Sequence, residues 1–274
     1  MKIISSLQVK LTAGEIALGK GTENLNAYLK GLQAWEEYRR QNKQGITAVK
    51  QLAKEAIALD PNYAFPYTII AECHIIDVLL GFTQSPQESM KLAAEAVQKA
   101  MALDKSHPST HVTLSNLYLL QRQHDKGIAS AERALELGPG KARTRFALGR
   151  ALTFACRFNE AIQYLEEAIR LDPFPPNTYF QSLSVPYRFV GRYEDALAVL
   201  KKAQKLEPNN LFTSINLAQT YANLGRMEEA RAAAADILRL NPKFSLENFA
   251  KGLPYKDKSA TDFSIEGLRK AGLK

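Results

Sequence analysis

Residues 142–173 have the sequence ARTRFALGRALTFACRFNEAIQYLEEAIRLDP, which predicts two helices joined by a short turn and closed by a proline. On the first helix, Leu148 places a large residue beside Gly149, the smallest one. On the second helix, Ala161 and Ala168 supply small side chains. Small residues let two helices approach closely, and large neighbours fill the space beside them. We therefore expect this stretch to be a tightly packed antiparallel helical hairpin.

The ending of this stretch recurs along the chain. Six copies of a helix ending occur, closed by proline in five cases and by lysine in one, at positions 61, 105, 139, 173, 208 and 242. The steps between them are 44, 34, 34, 35 and 34 residues. Proline stops a helix because it lacks the amide donor and disfavours helix at the residue before it. A period of about 34 residues is typical of tetratricopeptide repeats, and the chain resembles that superfamily from about residue 25 to residue 243.

This resemblance implies an all-α fold: a right-handed superhelix, or α-solenoid, of about five helical hairpins with helical caps. The predicted segments are an N-terminal cap or linker at 1–23, the repeat array at 24–243 and a C-terminal helical cap at 244–274. Within the array the hairpins are placed at about 24–61, 64–105, 108–139, 142–173, 177–208 and 211–242.

One step of the array is longer than the others. The 44-residue step carries about ten residues more than the usual period, placed at 81–88. They predict either longer helices or a protruding loop. A tolerated surface insertion is favoured over a functional loop, because long surface loops cost little free energy.

Short motifs near both ends carry a second, narrower resemblance. LTAGE at 11–15, TENLNAYLKG at 22–31, DPNYA at 60–64, LPYKD at 253–257 and GLRKAGL at 267–273 are similar to the C-terminal region of bacterial adenylate/guanylate cyclase-like multidomain proteins. In that family the repeats follow a nucleotide cyclase domain or, in relatives, a DNA-binding domain. The resemblance implies that the chain is a fragment of a larger signalling protein. No catalytic residue is carried over, because the paired metal-binding aspartates of a cyclase are absent from the sequence.

Composition argues against membrane and nucleic-acid roles. The 274 residues are 46% hydrophobic, yet the apolar runs are far shorter than the roughly 20 residues that cross a bilayer. The net charge of +8 is spread along the chain, with Lys and Arg interleaved with Asp and Glu, so no nucleic-acid partner is expected. Cys73 and Cys156 lie far apart, which favours buried thiols over a disulfide. With no membrane segment or signal sequence, a cytoplasmic location is expected.

The sequence lacks the parts of a catalytic centre. It contains no Ser-His-Asp or Cys-His arrangement, glycine-rich phosphate loop or HExxH motif. We therefore expect no enzyme activity and no cofactor. His107 and His111 share a helix face, but no third or fourth ligand converges on them, so no metal site is predicted.

The predicted binding site is the concave groove lined by the first helix of each hairpin. Arginine presents a planar fork that suits carboxylates, and aromatic faces anchor apolar groups, so the expected partner is a protein or peptide segment with acidic and apolar residues. For the arginines, solvated helix surface or an intramolecular pair remains an open alternative. The groove residues are Phe65, Glu72, Asn116, Arg143, Phe146, Arg150, Gln181, Arg188, Phe189, Gln219 and Asn223.

Two functions therefore stay open at the level of sequence. The first is a non-catalytic protein-interaction scaffold that forms the regulatory part of a larger bacterial signalling protein. The second is an oligomerisation element, giving a homo-oligomer, or an intramolecular regulatory element of a cyclase or transcription regulator. A clamp for a terminal carboxylate is incomplete, because Asn116 and Arg143 match two of its slots while Val112 and Ala147 fill two others with apolar side chains.

Overall fold

In the computed structural model, residues 21–38, 43–79 and 81–274 are described, and they form fourteen α-helices and no strand. Twelve helices of 13 to 18 residues come first and two further helices follow. They are α1 (Leu25–Tyr38), α2 (Lys43–Leu59), α3 (Ala64–Leu79), α4 (Pro86–Leu103), α5 (Pro108–Leu120), α6 (His124–Leu137), α7 (Ala142–Phe154), α8 (Phe158–Leu171), α9 (Asn177–Phe189), α10 (Tyr193–Leu206), α11 (Leu211–Asn223), α12 (Met227–Leu240), α13 (Leu246–Gly252) and α14 (Lys258–Lys270).

The helices follow one another as the repeat predicts. Extensive contacts join α1 to α2, α3 to α4, α7 to α8, α9 to α10 and α11 to α12. Each of the six predicted hairpin intervals contains two helices. The all-α repeat fold is confirmed, while the right-handed sense of the superhelix stays a prediction. The LTAGE motif and most of the 1–23 cap lie outside the described residues.

Longer helices take up most of the additional residues in the 44-residue step. Helices α3 and α4 have 16 and 18 residues, whereas every helix from α5 to α12 has 13 or 14. The connection between α3 and α4 contains Gly81, with a φ of 67°. In the described part of the chain, no helix combines the length and the apolar character that crossing a membrane requires.

The chain divides into two compact units, one ending at Leu117 and the other beginning at Tyr118. In the first unit, α1, α2 and α3 enclose an apolar core that includes Ala34, Val49 and Ile69. A polar seam joins α3 to the start of α5. There, the hydroxyl groups of Thr68 and Thr110 lie 2.9 Å apart, and Thr113 Oγ1 donates to Glu72 Oε1 at 2.7 Å.

In the second unit, small residues on the second helices set the helix spacing. The small residues predicted at Ala161 and Ala168 are fully buried, and so are their counterparts in the other repeats, with 0% exposure at Ala131, Ala134, Ala161, Ala168, Ala196, Ala203 and Ala230. Gly149 on α7 lies so close to α8 that a Cβ atom there would be 2.6 Å from Leu165 Cγ and 3.2 Å from the Ala161 carbonyl oxygen. The pairing of α7 with α8 therefore depends on the missing side chain.

Helices α13 and α14 return over the end of the second unit. Helix α14 packs mainly on α11 and also contacts α12 and α13. Its Ile265 and Leu268 are buried in the same apolar cluster as Leu217 and Ile237. An end repeat needs such a cover because its apolar face has no following repeat.

Candidate peptide-binding surface

In the first unit, two predicted groove residues serve packing instead of an open surface. Phe65 and Glu72 are each 3% exposed. The Phe65 ring lies 6.3 Å from the rings of Trp35 and His107, and Glu72 accepts the hydrogen bond from Thr113. This differs from the open groove predicted for both residues, because Phe65 belongs to the apolar core shared with α1 and α2, and α5 approaches α3 closely enough to bond Glu72. Asn116 on α5 is half-buried.

The histidines considered as metal ligands are used inside the fold. His111 Nε2 lies 2.8 Å from the carbonyl oxygen of Lys105, and His107 packs on Phe65. Among the described residues, no group of three or more His, Cys, Asp or Glu side chains is arranged to hold a metal ion.

In the second unit, we call the side of α7, α9 and α11 that carries the predicted residues the first-helix surface. On α7, Arg143, Phe146 and Arg150 are half-buried. Phe146 stacks on Tyr179 of α9 with ring centroids 4.2 Å apart and an interplanar angle of 16°. The Arg150 guanidinium carbon lies 5.8 Å from the ring centroids of both Phe146 and Phe154. This part of the surface therefore combines guanidinium groups with aromatic faces that solvent still reaches.

Further along the same surface, polar side chains join one helix to the next. Gln181 Nε2 donates to Thr213 Oγ1 at 2.8 Å, which links α9 to α11. Arg188 Nη1 donates to Gln219 Oε1, and Gln219 Nε2 donates to the Ser264 carbonyl oxygen at 2.8 Å, which links α9, α11 and α14. Gln181, Arg188 and Gln219 therefore do not line an open groove as predicted, because their polar groups form hydrogen bonds between helices. Phe189 and Asn223 remain half-buried.

Arg188 is the least exposed of the predicted arginines, at 1%. Burial lowers the pKa of its guanidinium to about 10, and the nearby Tyr255 and Tyr193 act in the opposite direction. Its Nε has no hydrogen-bond partner among the described residues. A buried cation with a single amide acceptor is costly, so the surroundings of Arg188 must hold it in place.

A segment that sequence reasoning did not place on this surface covers Arg188. We call residues 253–257 the strap, which connects α13 to α14. Arg122 Nη2 donates to the Leu253 carbonyl oxygen at 3.0 Å, and Arg122 Nη1 to the Tyr255 carbonyl oxygen at 3.3 Å. His124 Nε2 lies 2.7 Å from the Pro254 carbonyl oxygen, and the amide of residue 256 donates to the Phe154 carbonyl oxygen at 2.8 Å. The strap is thus held chiefly through its backbone.

Tyr255 is the side chain that anchors the strap. It is 5% exposed, and its ring centroid lies 5.4 Å from that of Phe154 and 5.5 Å from that of Phe189. Phe189 in turn stacks on Phe158 at 4.2 Å and lies 4.9 Å from Phe263. Burial raises the pKa of the Tyr255 phenol, an effect that the Arg188 cation offsets in part. We call Phe154, Phe158, Phe189 and Phe263 the aromatic cluster.

Two turn residues indicate in the sequence that another segment contacts these turns. In the second unit, four turns between first and second helices contain a residue with positive φ: Arg122 (57°), Cys156 (62°), Gly191 (78°) and Gly225 (74°). Glycine adopts this conformation freely, whereas a residue with a Cβ atom pays about 1–2 kcal/mol. The side chain of Arg122 binds the strap, and the Cys156 thiol, whose pKa burial raises, lies beside Asp257. Glycine is therefore replaced at the two turns that touch the strap.

Comparison with known proteins agrees with this geometry. Sequence models of the tetratricopeptide repeat match residues 106–173 and 190–247. These segments are tetratricopeptide repeats. Proteins built from such repeats generally mediate protein–protein interactions, and the fold is typical of non-catalytic scaffolds.

Two relatives contain segments similar to this chain. The transcriptional regulator HilA of Salmonella typhimurium is 26% identical over 213 residues, which cover 77% of this chain and 37% of HilA. Superkiller protein 3 of Schizosaccharomyces pombe is 26% identical over 191 residues, covering 67% of this chain and 13% of that protein. The chain therefore spans little more than a third of HilA and a smaller share of superkiller protein 3.

Solved structures share the fold of this chain. The Cut9–Hcn1 hetero-tetramer of the APC/C contains a chain that superposes with a TM-score of 0.65 at 13% identity, covering 95% of this chain and 46% of that one. PilF of Pseudomonas aeruginosa superposes with a TM-score of 0.54 at 15% identity, covering 80% and 93%. At these identities the likeness concerns the fold alone.

Proposed function

We propose that the chain is a non-catalytic scaffold that binds an extended protein or peptide segment on the first-helix surface of the second unit. The observation that supports this most strongly is the strap itself. A stretch of chain already lies there, held by donors to its backbone carbonyl groups and by one buried aromatic side chain. Main-chain hydrogen bonds combined with a side-chain pocket are a recurring mode of peptide recognition.

The part of the surface beside the strap suits acidic and apolar residues. Arg143 and Arg150 are half-buried on α7, and Arg150 lies over the rings of Phe146 and Phe154. A guanidinium group held against aromatic rings loses little side-chain freedom when it binds a carboxylate. The neighbouring half-buried Phe146, which stacks on the buried Tyr179, offers apolar area to an aliphatic or aromatic side chain.

The scaffold is proposed to act within a larger bacterial signalling or regulatory protein. The similarity to part of a transcriptional regulator supports a regulatory context, since the chain spans 37% of that protein. The end motifs that resemble cyclase-like multidomain proteins favour the same kind of context, with a cytoplasmic location. In either case the repeats would recruit or position a partner for another domain.

Removing two arginines of α7 tests the proposed surface. We expect Arg143→Ala combined with Arg150→Ala to weaken binding of acidic, apolar peptides by about tenfold, because a hydrogen bond to a charged group contributes about 1.5 kcal/mol or more. Fluorescence anisotropy of a labelled peptide panel measures the change. Arg170→Ala, on the exposed side of α8, is the matched control with the same loss of charge per site. An unchanged affinity in the double variant, or an equal loss in the control, would argue against this surface.

A further inference from the structure

We infer that the site around Tyr255 is a peptide site which the strap occupies in cis, and that a partner segment with a proline followed by a tyrosine displaces the strap. The inference rests on the proposed function and names the chemistry of the partner. It concerns a site next to the first-helix surface, formed by Arg122, His124, Arg188 and the aromatic cluster, all of which lie in the second unit.

The backbone contacts of the strap do not depend on its own sequence. The donors of Arg122 and His124 point at the carbonyl oxygens of Leu253, Pro254 and Tyr255. Any extended segment presents carbonyl groups in the same way. Proline at position 254 loses no hydrogen bond, because His124 contacts the carbonyl oxygen of this residue and a backbone amide is not needed there.

Two side chains of the strap supply selectivity. Pro254 and Tyr255 are buried, Tyr255 against Phe154 and Phe189, whereas Lys256 and Asp257 are exposed. Arg188 and Ser264, which are 1% and 2% exposed, are the polar side chains that act on the Tyr255 phenol, so the hydroxyl group meets buried polar groups. A site with buried polar groups disfavours a ligand that lacks the matching hydroxyl, and tyrosine is therefore preferred to phenylalanine.

The strap and the helix that follows it are held by separate contacts. Helix α14 keeps Ile265 and Leu268 in the apolar cluster of α11 and α12. Beyond the half-buried Leu253 and the buried Pro254 and Tyr255, the side chains of the strap are exposed: Asp257 lies beside Cys156, and Lys256 forms an exposed ion pair with Asp125 at 3.5 Å, which contributes little. The strap can therefore open as a local unit while α14 stays docked.

Self-occupancy predicts a specific pattern of affinities. A peptide in solution binds only to the fraction of molecules whose strap is open, so its apparent affinity is reduced by that fraction. Weakening the strap should strengthen binding of the peptide, which is the opposite of what removing a ligand-contacting residue normally does.

The test uses a labelled peptide with the sequence of residues 251–258, KGLPYKDK, added to the full chain. We expect Tyr255→Ala to raise the affinity for this peptide by about tenfold over the native chain, because the competing anchor is gone. Adding Arg122→Gly to the Tyr255→Ala variant should reverse this gain in affinity for the peptide. That change keeps the positive-φ turn, which glycine adopts at 191 and 225, and removes only the guanidinium group. Tyr164→Ala on α8 is the matched tyrosine control, and a KGLPFKDK peptide should bind less tightly than KGLPYKDK.

A second measurement needs no variant and covers the case in which Tyr255→Ala fails to fold. In the native chain, the amide of residue 256 donates to the Phe154 carbonyl oxygen, so its hydrogen exchange reports on the strap. Saturating peptide should speed exchange at residue 256 and leave the amides inside α14 protected. No change at residue 256 under saturation, or a folded Tyr255→Ala chain with no gain in affinity, would overturn the inference.

The experiment distinguishes a failure of this inference from a failure of the proposed function. Acidic, apolar peptides that depend on Arg143 and Arg150 are titrated into the same proteins. If they bind and KGLPYKDK does not, the strap is a fixed part of the fold and the scaffold proposal stands. If neither class of peptide binds the folded chain, the proposed function itself fails.

Discussion

Replacing Gln219 with methionine is expected to lower the free energy of unfolding by about 3 kcal/mol, because it removes the hydrogen-bond acceptor of a buried cation. Arg188 is 1% exposed and donates to Gln219 Oε1, and its Nε has no partner among the described residues. Methionine matches glutamine in length and flexibility, so packing changes little. Urea unfolding followed by circular dichroism measures the loss.

A double variant distinguishes the loss of the hydrogen bond between Arg188 and Gln219 from a nonspecific loss of stability. Arg188→Met with Gln219→Met removes the cation along with its acceptor, and replacing a buried polar pair with apolar residues of similar volume is often neutral. We expect the double variant to recover about 2 kcal/mol of the loss caused by Gln219→Met alone. The Ser264 carbonyl group, which also loses the Gln219 amide, lies inside α14 and keeps a helical partner. Additive losses would mean that Arg188 does not depend on Gln219.

Adding one methyl group at Gly149 is expected to lower the free energy of unfolding by about 1–3 kcal/mol, the usual range for overpacking a core. The new Cβ atom would lie 2.6 Å from Leu165 Cγ and 3.2 Å from the Ala161 carbonyl oxygen. Leu165 and Ala161 are both fully buried, so neither can yield without moving α8. The clash should outweigh the gain in helix propensity of about 1 kcal/mol that alanine brings.

Gly140→Ala is the matched control for this substitution. Gly140 lies in the turn before α7, and a Cβ atom there would meet nothing within 4 Å. Its effect on the free energy of unfolding should stay within about 0.5 kcal/mol. Equal thermal midpoints for the two variants would contradict the close packing of α7 against α8.

The repeat architecture is predictable from sequence because its causes are local. The proline endings and their spacing place every pair of helices, and the small residues at Gly149, Ala161 and Ala168 appear in the structure where two helices meet. The repeat pattern depends only on contacts between residues that are close in the chain and between adjacent repeats. The six intervals placed from the sequence each contain two helices.

The roles of the polar residues depended on contacts that no local pattern contains. Gln181, Arg188 and Gln219 occupy positions from which a side chain can meet either a ligand or the next helix, and the structure places them between helices. The cover over Arg188 comes from the strap, and the bond from Arg122 to Leu253 spans 131 residues of sequence. Only the absence of glycine at Arg122 and Cys156 hinted at this contact.

The central claim is that the second unit recognises an extended segment on its first-helix surface. Amide chemical-shift mapping of the full chain during titration with a bound peptide, either KGLPYKDK or the tightest acidic peptide of the panel, tests it most directly. The account predicts that the shifts cluster on α7 and α9 around Arg150, Phe154 and Phe189, and that the strap at 253–257 responds to KGLPYKDK. Chemical-shift changes confined to the second helices α8, α10 and α12, with α7, α9 and the strap unchanged, would contradict the claim.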